Sequence, residues 1–374
     1  MSGHDDMAAL ALPGVRGLSP YQPGKPVDEL ERELGITGSI KLASNENPRG
    51  PGEAVRAAIA AASMALSRYP DGAAFALRQA LSAHLQREPA QLTFGNGSND
   101  VLEVAARVFL GPGRSAVVSA HAFVVYPIAI RAAGAELIEV PAVDHGADLP
   151  AMLAAIRDDT AMLFLANPNN PTGTWVNREA LVRFLDAVPS RVIVVLDEAY
   201  VEYVETPDFP DGLTLLDAYS NLIVTRTFSK IHGLAALRLG YAVSSAVIAD
   251  LLNRVRQPFN TSSVAQAAAI AALADRAYVI ESRRLNTAGL AQLEAGLRAQ
   301  AVSCLPSIGN FLCIDCSGPA APVYEALLRE GVIVRPIAGY GMPNHLRVTV
   351  GLPAENDRFL QALARVRAAG PHDE

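Results

Sequence analysis

The chain has 374 residues, half of them hydrophobic, with 31 Lys and Arg against 38 Asp and Glu for a formal net charge of −7. That length exceeds the usual size of a single hydrophobic core, so two domains are expected. The acidic balance argues against a nucleic-acid or anionic-membrane surface, and three cysteines are too few and too clustered for a disulfide framework.

A reducing cytoplasm is therefore the expected compartment. The N-terminus lacks the basic segment of a signal peptide, and its apolar stretch at residues 8–12 stops at Pro13, so export is not expected. The Ala-rich stretches 55–66 and 264–274 are short or interrupted by polar residues and read as packed helices, not membrane spans. Between them, a strand at 91–94 leads through Gly95-Asn-Gly-Ser-Asn-Asp100 into a helix at 101–109. Short apolar runs follow at 116–119, 135–140, 161–166, 192–196, 222–225 and 241–243, with helical stretches such as 178–187 between them. This alternation predicts a mainly parallel sheet covered on both faces. After helices at 263–274 and 278–300, strands are expected at 311–315, 332–335 and 345–350, forming a smaller α+β region. Cys313 and Cys316 fall in the first of these strand segments with no second Cys or His pair nearby in sequence, so they read as structural and no metal site is expected.

In such sheets ligands gather beyond the carboxyl ends of the strands. Three chemical groups follow strands directly: the turn Asn167-Pro-Asn-Asn-Pro-Thr-Gly173, the segment Asp197-Glu-Ala-Tyr200, and Lys230 in Phe228-Ser-Lys-Ile-His-Gly233. Taken alone, Lys230 is a solvated lysine, Asp197 a helix cap, Tyr200 a core residue and Asn170 a turn former. Together they suit pyridoxal 5′-phosphate (PLP), which needs an amine for its aldehyde and a carboxylate to keep its ring nitrogen protonated. Lys230 can be the amine and Asp197 the carboxylate, since an Asp continuing so apolar a run would be costly to bury without a cationic partner. The strand, glycine turn and helix around Gly97 and Ser98 offer backbone N–H groups to a phosphate, although most such turns only reverse the chain.

With Tyr21-Gln-Pro-Gly-Lys-Pro26, Lys41-Leu-Ala-Ser-Asn-Glu-Asn-Pro48, Arg68-Tyr-Pro70 and Gly339-Tyr-Gly-Met-Pro-Asn-His-Leu-Arg-Val-Thr-Val-Gly351, these segments resemble the fold-type I PLP-dependent aminotransferases, and within them the histidinol-phosphate aminotransferase branch. The resemblance spans roughly residues 21–363. It implies an α/β fold with a large cofactor-binding domain at 45–262, a small domain at 263–374, and an N-terminal arm at 1–44 that packs partly on the small domain.

The same resemblance assigns Lys230, Asp197 and Tyr200 to catalysis and gives Tyr200 and Asn170 hydrogen bonds to the cofactor's phenolic oxygen. Gly97, Ser98, Thr227, Ser229 and Arg238 would cradle the phosphate, and Phe123 would stack on the ring where many relatives carry Tyr. Tyr69 would reach the phosphate of a neighbouring subunit, which implies a homodimer. Arg347, Arg335, Tyr21 and Asn45 would bind substrate, although either arginine could instead close a structural ion pair. The implied reaction moves an amino group between glutamate and imidazole acetol phosphate, which becomes histidinol phosphate. An aromatic amino acid aminotransferase is the nearest alternative. A PLP lyase and a non-catalytic module are the others.

Overall fold

The computed structural model describes residues 7–20 and 22–369. The strands in chain order are β1 (Ile40–Lys41), β2 (Leu92–Gly95), β3 (Ser115–Ser119), β4 (Glu136–Val140), β5 (Thr160–Ala166), β6 (Ile193–Asp197), β7 (Leu222–Thr227) and β8 (Gly240–Ser244). They are followed by β9 (Cys304–Leu305), β10 (Phe311–Asp315), β11 (Val332–Ile333), β12 (Arg335–Pro336) and β13 (His345–Thr349).

Seven strands form the central sheet in the order β2-β8-β7-β6-β5-β3-β4. Pairing is parallel from β4 through β7, while β8 runs antiparallel to both of its neighbours. The inner strands are apolar on both faces because both faces are covered. Leu163 and Leu165 of β5, with Val194 and Leu196 of β6, enter one core; Met162, Phe164 and Val195 enter the other. At the edge, β4 is less buried, and Glu136 and Glu139 are exposed. The sheet is the one expected from the apolar runs.

Helix Ser263–Ala274 buries Ala265, Ala268, Ala269 and Ala272 in the first core beside helix Glu53–Ala62. Small side chains let these backbones approach closely. Among the described residues no single helix is long and apolar enough to cross a membrane.

A four-stranded antiparallel sheet, β12-β13-β10-β9, lies over a further core that includes Leu312, Ile314, Leu346, Val348 and Phe359. The single strand expected at 332–335 is two short ones. β11 pairs in parallel with β1, Ile40 opposite Val332, whereas β12 pairs with β13. The chain changes partner between Ile333 and Arg335, at Val334. The N-terminal segment thus packs on this part of the molecule, and Leu30 and Ala43 join Leu328 and Ile333 in a small cluster. Cys313 is buried in β10 directly opposite Arg347.

Candidate active site

The carboxyl ends of β5, β6 and β7 open into a cavity of about 180 Å³. Asp197 closes β6, and Ala166 ends β5 just before the asparagine turn. Thr227 ends β7, three residues before Lys230. The turn is closed by Asn167, whose side chain accepts from Val176 N at 2.9 Å and donates to Val176 O at 3.0 Å. Beneath the cavity, Glu198 accepts from Arg226 Nη2 at 2.7 Å and from Gly212 N at 2.7 Å. This buried ion pair ties the end of β6 to β7.

Asp197 is only 5% exposed. The Tyr126 hydroxyl donates to its Oδ2 at 2.7 Å and the Thr225 hydroxyl to its Oδ1 at 2.9 Å. Burial raises the pKa of this carboxyl, while both hydroxyls and Lys230 pull the other way. A buried carboxylate held in place by two donors and facing a cavity fits a cation there, as a protonated pyridine nitrogen would be.

Lys230 Nζ donates to Ser44 O at 3.1 Å and stands 5.6 Å from the centre of the Tyr200 ring. Burial, reinforced by the Arg347 charge, pulls its pKa down to about 7 from 10.5. Only the unprotonated amine attacks an aldehyde. The rate at which cofactor-free protein takes up PLP should therefore rise as pH passes through about 7. A rate that rises only near about pH 9 or above would mark an ordinary lysine instead.

The Tyr200 hydroxyl accepts from Asn45 Nδ2 at 2.9 Å, and burial pushes its pKa up to about 12, so it remains a neutral donor. Asn45 has a left-handed backbone (φ +54°), which Asn tolerates better than most residues, and Thr349 holds it through both Asn45 N and Oδ1. Arg347 Nη1 donates to Asn170 Oδ1, and Nη2 donates to Ala43 O at 2.6 Å. Arg335 lies opposite Arg347 in the β12–β13 register, and both line the cavity.

At the other end, helix Ser98–Phe109 starts from Gly97 at φ +84°. A Cβ on Gly97 would sit 2.5 Å from Arg238 Nη2 and would push that guanidinium aside, and the positive φ itself favours glycine. Arg238 Nη1 reaches Ser229 Oγ at 3.5 Å, and the Thr227 hydroxyl accepts from Ser229 N at 3.0 Å. A helix N-terminus, a guanidinium and hydroxyls in one place suit a phosphate. Phe123 also lines the cavity, edge-on to Tyr126 at 5.8 Å.

Asn45, Ser98, Phe123, Asn170, Asp197, Tyr200, Thr227, Ser229, Lys230, Arg238, Arg335 and Arg347 all face this one cavity, and Gly97 adjoins it. Tyr69 does not: it is 82% exposed and stacks on Phe259 at 4.7 Å. Tyr21 lies outside the described residues. Sequence reasoning missed Tyr126, Thr225, Ser44 and Tyr340. Thr225 stands directly opposite Asp197 across β6 and β7, a register that one sequence does not reveal.

Residues 37–363 match the family described as aminotransferase class I and II. The chain is 60% identical to histidinol-phosphate aminotransferase 2 of Pseudomonas fluorescens (strain Pf0-1) over 372 residues, which cover 99% of this chain and all of the relative. It is 60% identical to the Pseudomonas aeruginosa protein of the same name, over 97% of this chain and 99% of that one. Among solved structures, histidinol-phosphate aminotransferase from Sinorhizobium meliloti, in complex with pyridoxal-5′-phosphate, superposes with a TM-score of 0.89 at 31% identity, covering 96% of this chain and 98% of that one. Aspartate aminotransferase from Thermus thermophilus with maleate shares the fold, with a TM-score of 0.81 at 23% identity over 94% and 98% of the two chains.

Proposed function

This chain belongs to the class I and II aminotransferases, and we propose that it moves an amino group between glutamate and imidazole acetol phosphate, giving 2-oxoglutarate and histidinol phosphate. The observation that most supports this reading is the composition of one cavity, which is lined by the Lys230 amine, the Asp197 carboxylate and two guanidiniums, Arg335 and Arg347. When bound, PLP supplies the electron sink that makes the substrate's Cα proton acidic.

Each residue then has a definite task. Asp197, held by Tyr126 and Thr225, keeps a positive charge on the ring nitrogen. Lys230, whose pKa burial pulls down to about 7 so that much of it is uncharged at neutral pH, would hold the cofactor through its amine and carry the proton that leaves Cα. Tyr200 and Asn170 would donate to the cofactor's phenolic oxygen, and Phe123 would stack on its ring. The Gly97–Ser98 backbone, Thr227, Ser229 and Arg238 hold the phosphate. Arg347 and Arg335 take the substrate's anionic group, a carboxylate in glutamate and a phosphate in histidinol phosphate, because a guanidinium stays charged when desolvated and offers paired donors to either. Asn45 orients Tyr200, and Tyr21 belongs with the substrate residues.

The cofactor-binding unit extends from 45 through helix Ser263–Ala274, past the expected boundary at 262, because that helix packs in the central-sheet core, and residues 27–44 with 276–369 form the smaller unit that brings Arg335 and Arg347. The chain works as a homodimer in the cytoplasm: the exposed Tyr69–Phe259 stack suits a partner whose phosphate site Tyr69 completes. The reading is tested by steady-state assay with 2-oxoglutarate as acceptor. The expected kcat/KM for histidinol phosphate exceeds that for phenylalanine by roughly 10²-fold or more, because phenylalanine's single carboxylate offers the two guanidiniums fewer acceptor oxygens and less charge than a phosphate does. Equal values, or a preference for phenylalanine, would move the role to aromatic amino acid metabolism.

A further inference from the structure

Between β12 and β13 the chain turns through Ala338–Tyr340 and then Gly341 at φ +74°. The hairpin carries Arg335, Tyr340 and Arg347, which all line the cavity. Two of its contacts reach the central-sheet side. One is the bond from Arg347 to Asn170. The other is His121, in the loop after β3, whose Nδ1 lies 2.5 Å from the Tyr340 carbonyl oxygen. A carbonyl only accepts, so Nδ1 carries the proton of that bond.

The backbone of His121 is fixed in its turn. Its carbonyl accepts from Asn169 Nδ2 at 3.0 Å, and Asn169 precedes Asn170 in the chain. Asn169, His121, Tyr340, Arg347 and Asn170 therefore close a circuit along the cavity rim. His121 has φ +58°, a conformation that non-glycine residues seldom adopt and that persists where surrounding contacts over-determine it. The β12–β13 ladder and the buried Ile337 and Met342 hold the hairpin to its own sheet, and the His121 bond adds a restraint on the tip of the turn from across the cavity.

We propose that His121 is a positioning residue whose ring holds the Tyr340 turn, and through it Arg335, at the distance from Lys230 that the substrate's anionic group requires. This rests on the reading of the cavity as the amino-donor site. His121→Gly and His121→Asn separate the bond from the backbone, since both residues accept a left-handed conformation but only Asn offers a side-chain N–H. In the holoenzyme, His121→Gly is expected to raise KM for histidinol phosphate about tenfold, the effect of one lost hydrogen bond at the site. Its kcat should stay within about twofold, as fits a loss of uniform binding. Inorganic phosphate, titrated against the cofactor absorbance, should bind more weakly by a similar factor. His121→Asn should restore both values. Unchanged KM and phosphate affinity in His121→Gly, equal impairment in His121→Asn, or a wild-type holoenzyme that takes up no phosphate would each overturn the proposal. A wild type that binds phosphate but does not turn over histidinol phosphate would defeat the proposed reaction alone, and the phosphate titrations of the two variants would still decide the role of His121.

Discussion

Lys230→Ala is expected to lower turnover by roughly 10⁴-fold or more, because it would remove the proposed covalent anchor and proton carrier in one step. It should also abolish the visible absorbance of the lysine-linked cofactor. The fold should survive, since the side chain makes one hydrogen bond, to Ser44 O, and its charged form is disfavoured by burial. A melting temperature at or above that of wild type would separate lost chemistry from lost structure. Substantial turnover in this variant would refute the assignment of Lys230.

Asp197→Asn should reduce kcat by roughly 10²- to 10³-fold, the scale seen when a preorganised electrostatic partner is removed. Two features set that expectation. The carboxylate is the negative group that opposes a ring cation, and an amide carries no charge. In addition, the Tyr126 and Thr225 hydroxyls both donate to Asp197, and an Asn side chain would turn its N–H₂ toward one of them. The loss should fall on kcat more than on cofactor affinity, because the proposed phosphate cradle of Arg238, Ser229 and the helix at Ser98 would be left intact. Stopped-flow rates and an equilibrium titration with PLP read the two separately. Weak cofactor binding with an intact kcat in the loaded variant would make Asp197 an anchor only.

Local pattern carried much of this molecule. Helix Arg178–Ala187 and strand β10 match their expected bounds because each has a clear local signal, an Asn177 cap in one case and an uninterrupted apolar run in the other. The cavity groups were legible because parallel strands deliver the residues after them to one edge of the sheet. Long-range pairing was not legible. The reversed direction of β8, the split between β11 and β12, and the Tyr126 and Thr225 donors to Asp197 all depend on register and packing between segments far apart in sequence. Tyr340 escaped for the same reason, since its place follows from a hairpin fastened across the cavity by His121. Tyr69 was singled out by resemblance, and its exposed position in one chain fits a role that needs a second copy.

The most direct test of the account is single-turnover conversion of the PLP-loaded protein, mixed separately with L-histidinol phosphate, L-phenylalanine and L-glutamate and followed by cofactor absorbance with no acceptor present. The account predicts complete conversion by glutamate and by low concentrations of histidinol phosphate, with phenylalanine far slower. Efficient conversion by phenylalanine with none by histidinol phosphate would contradict it.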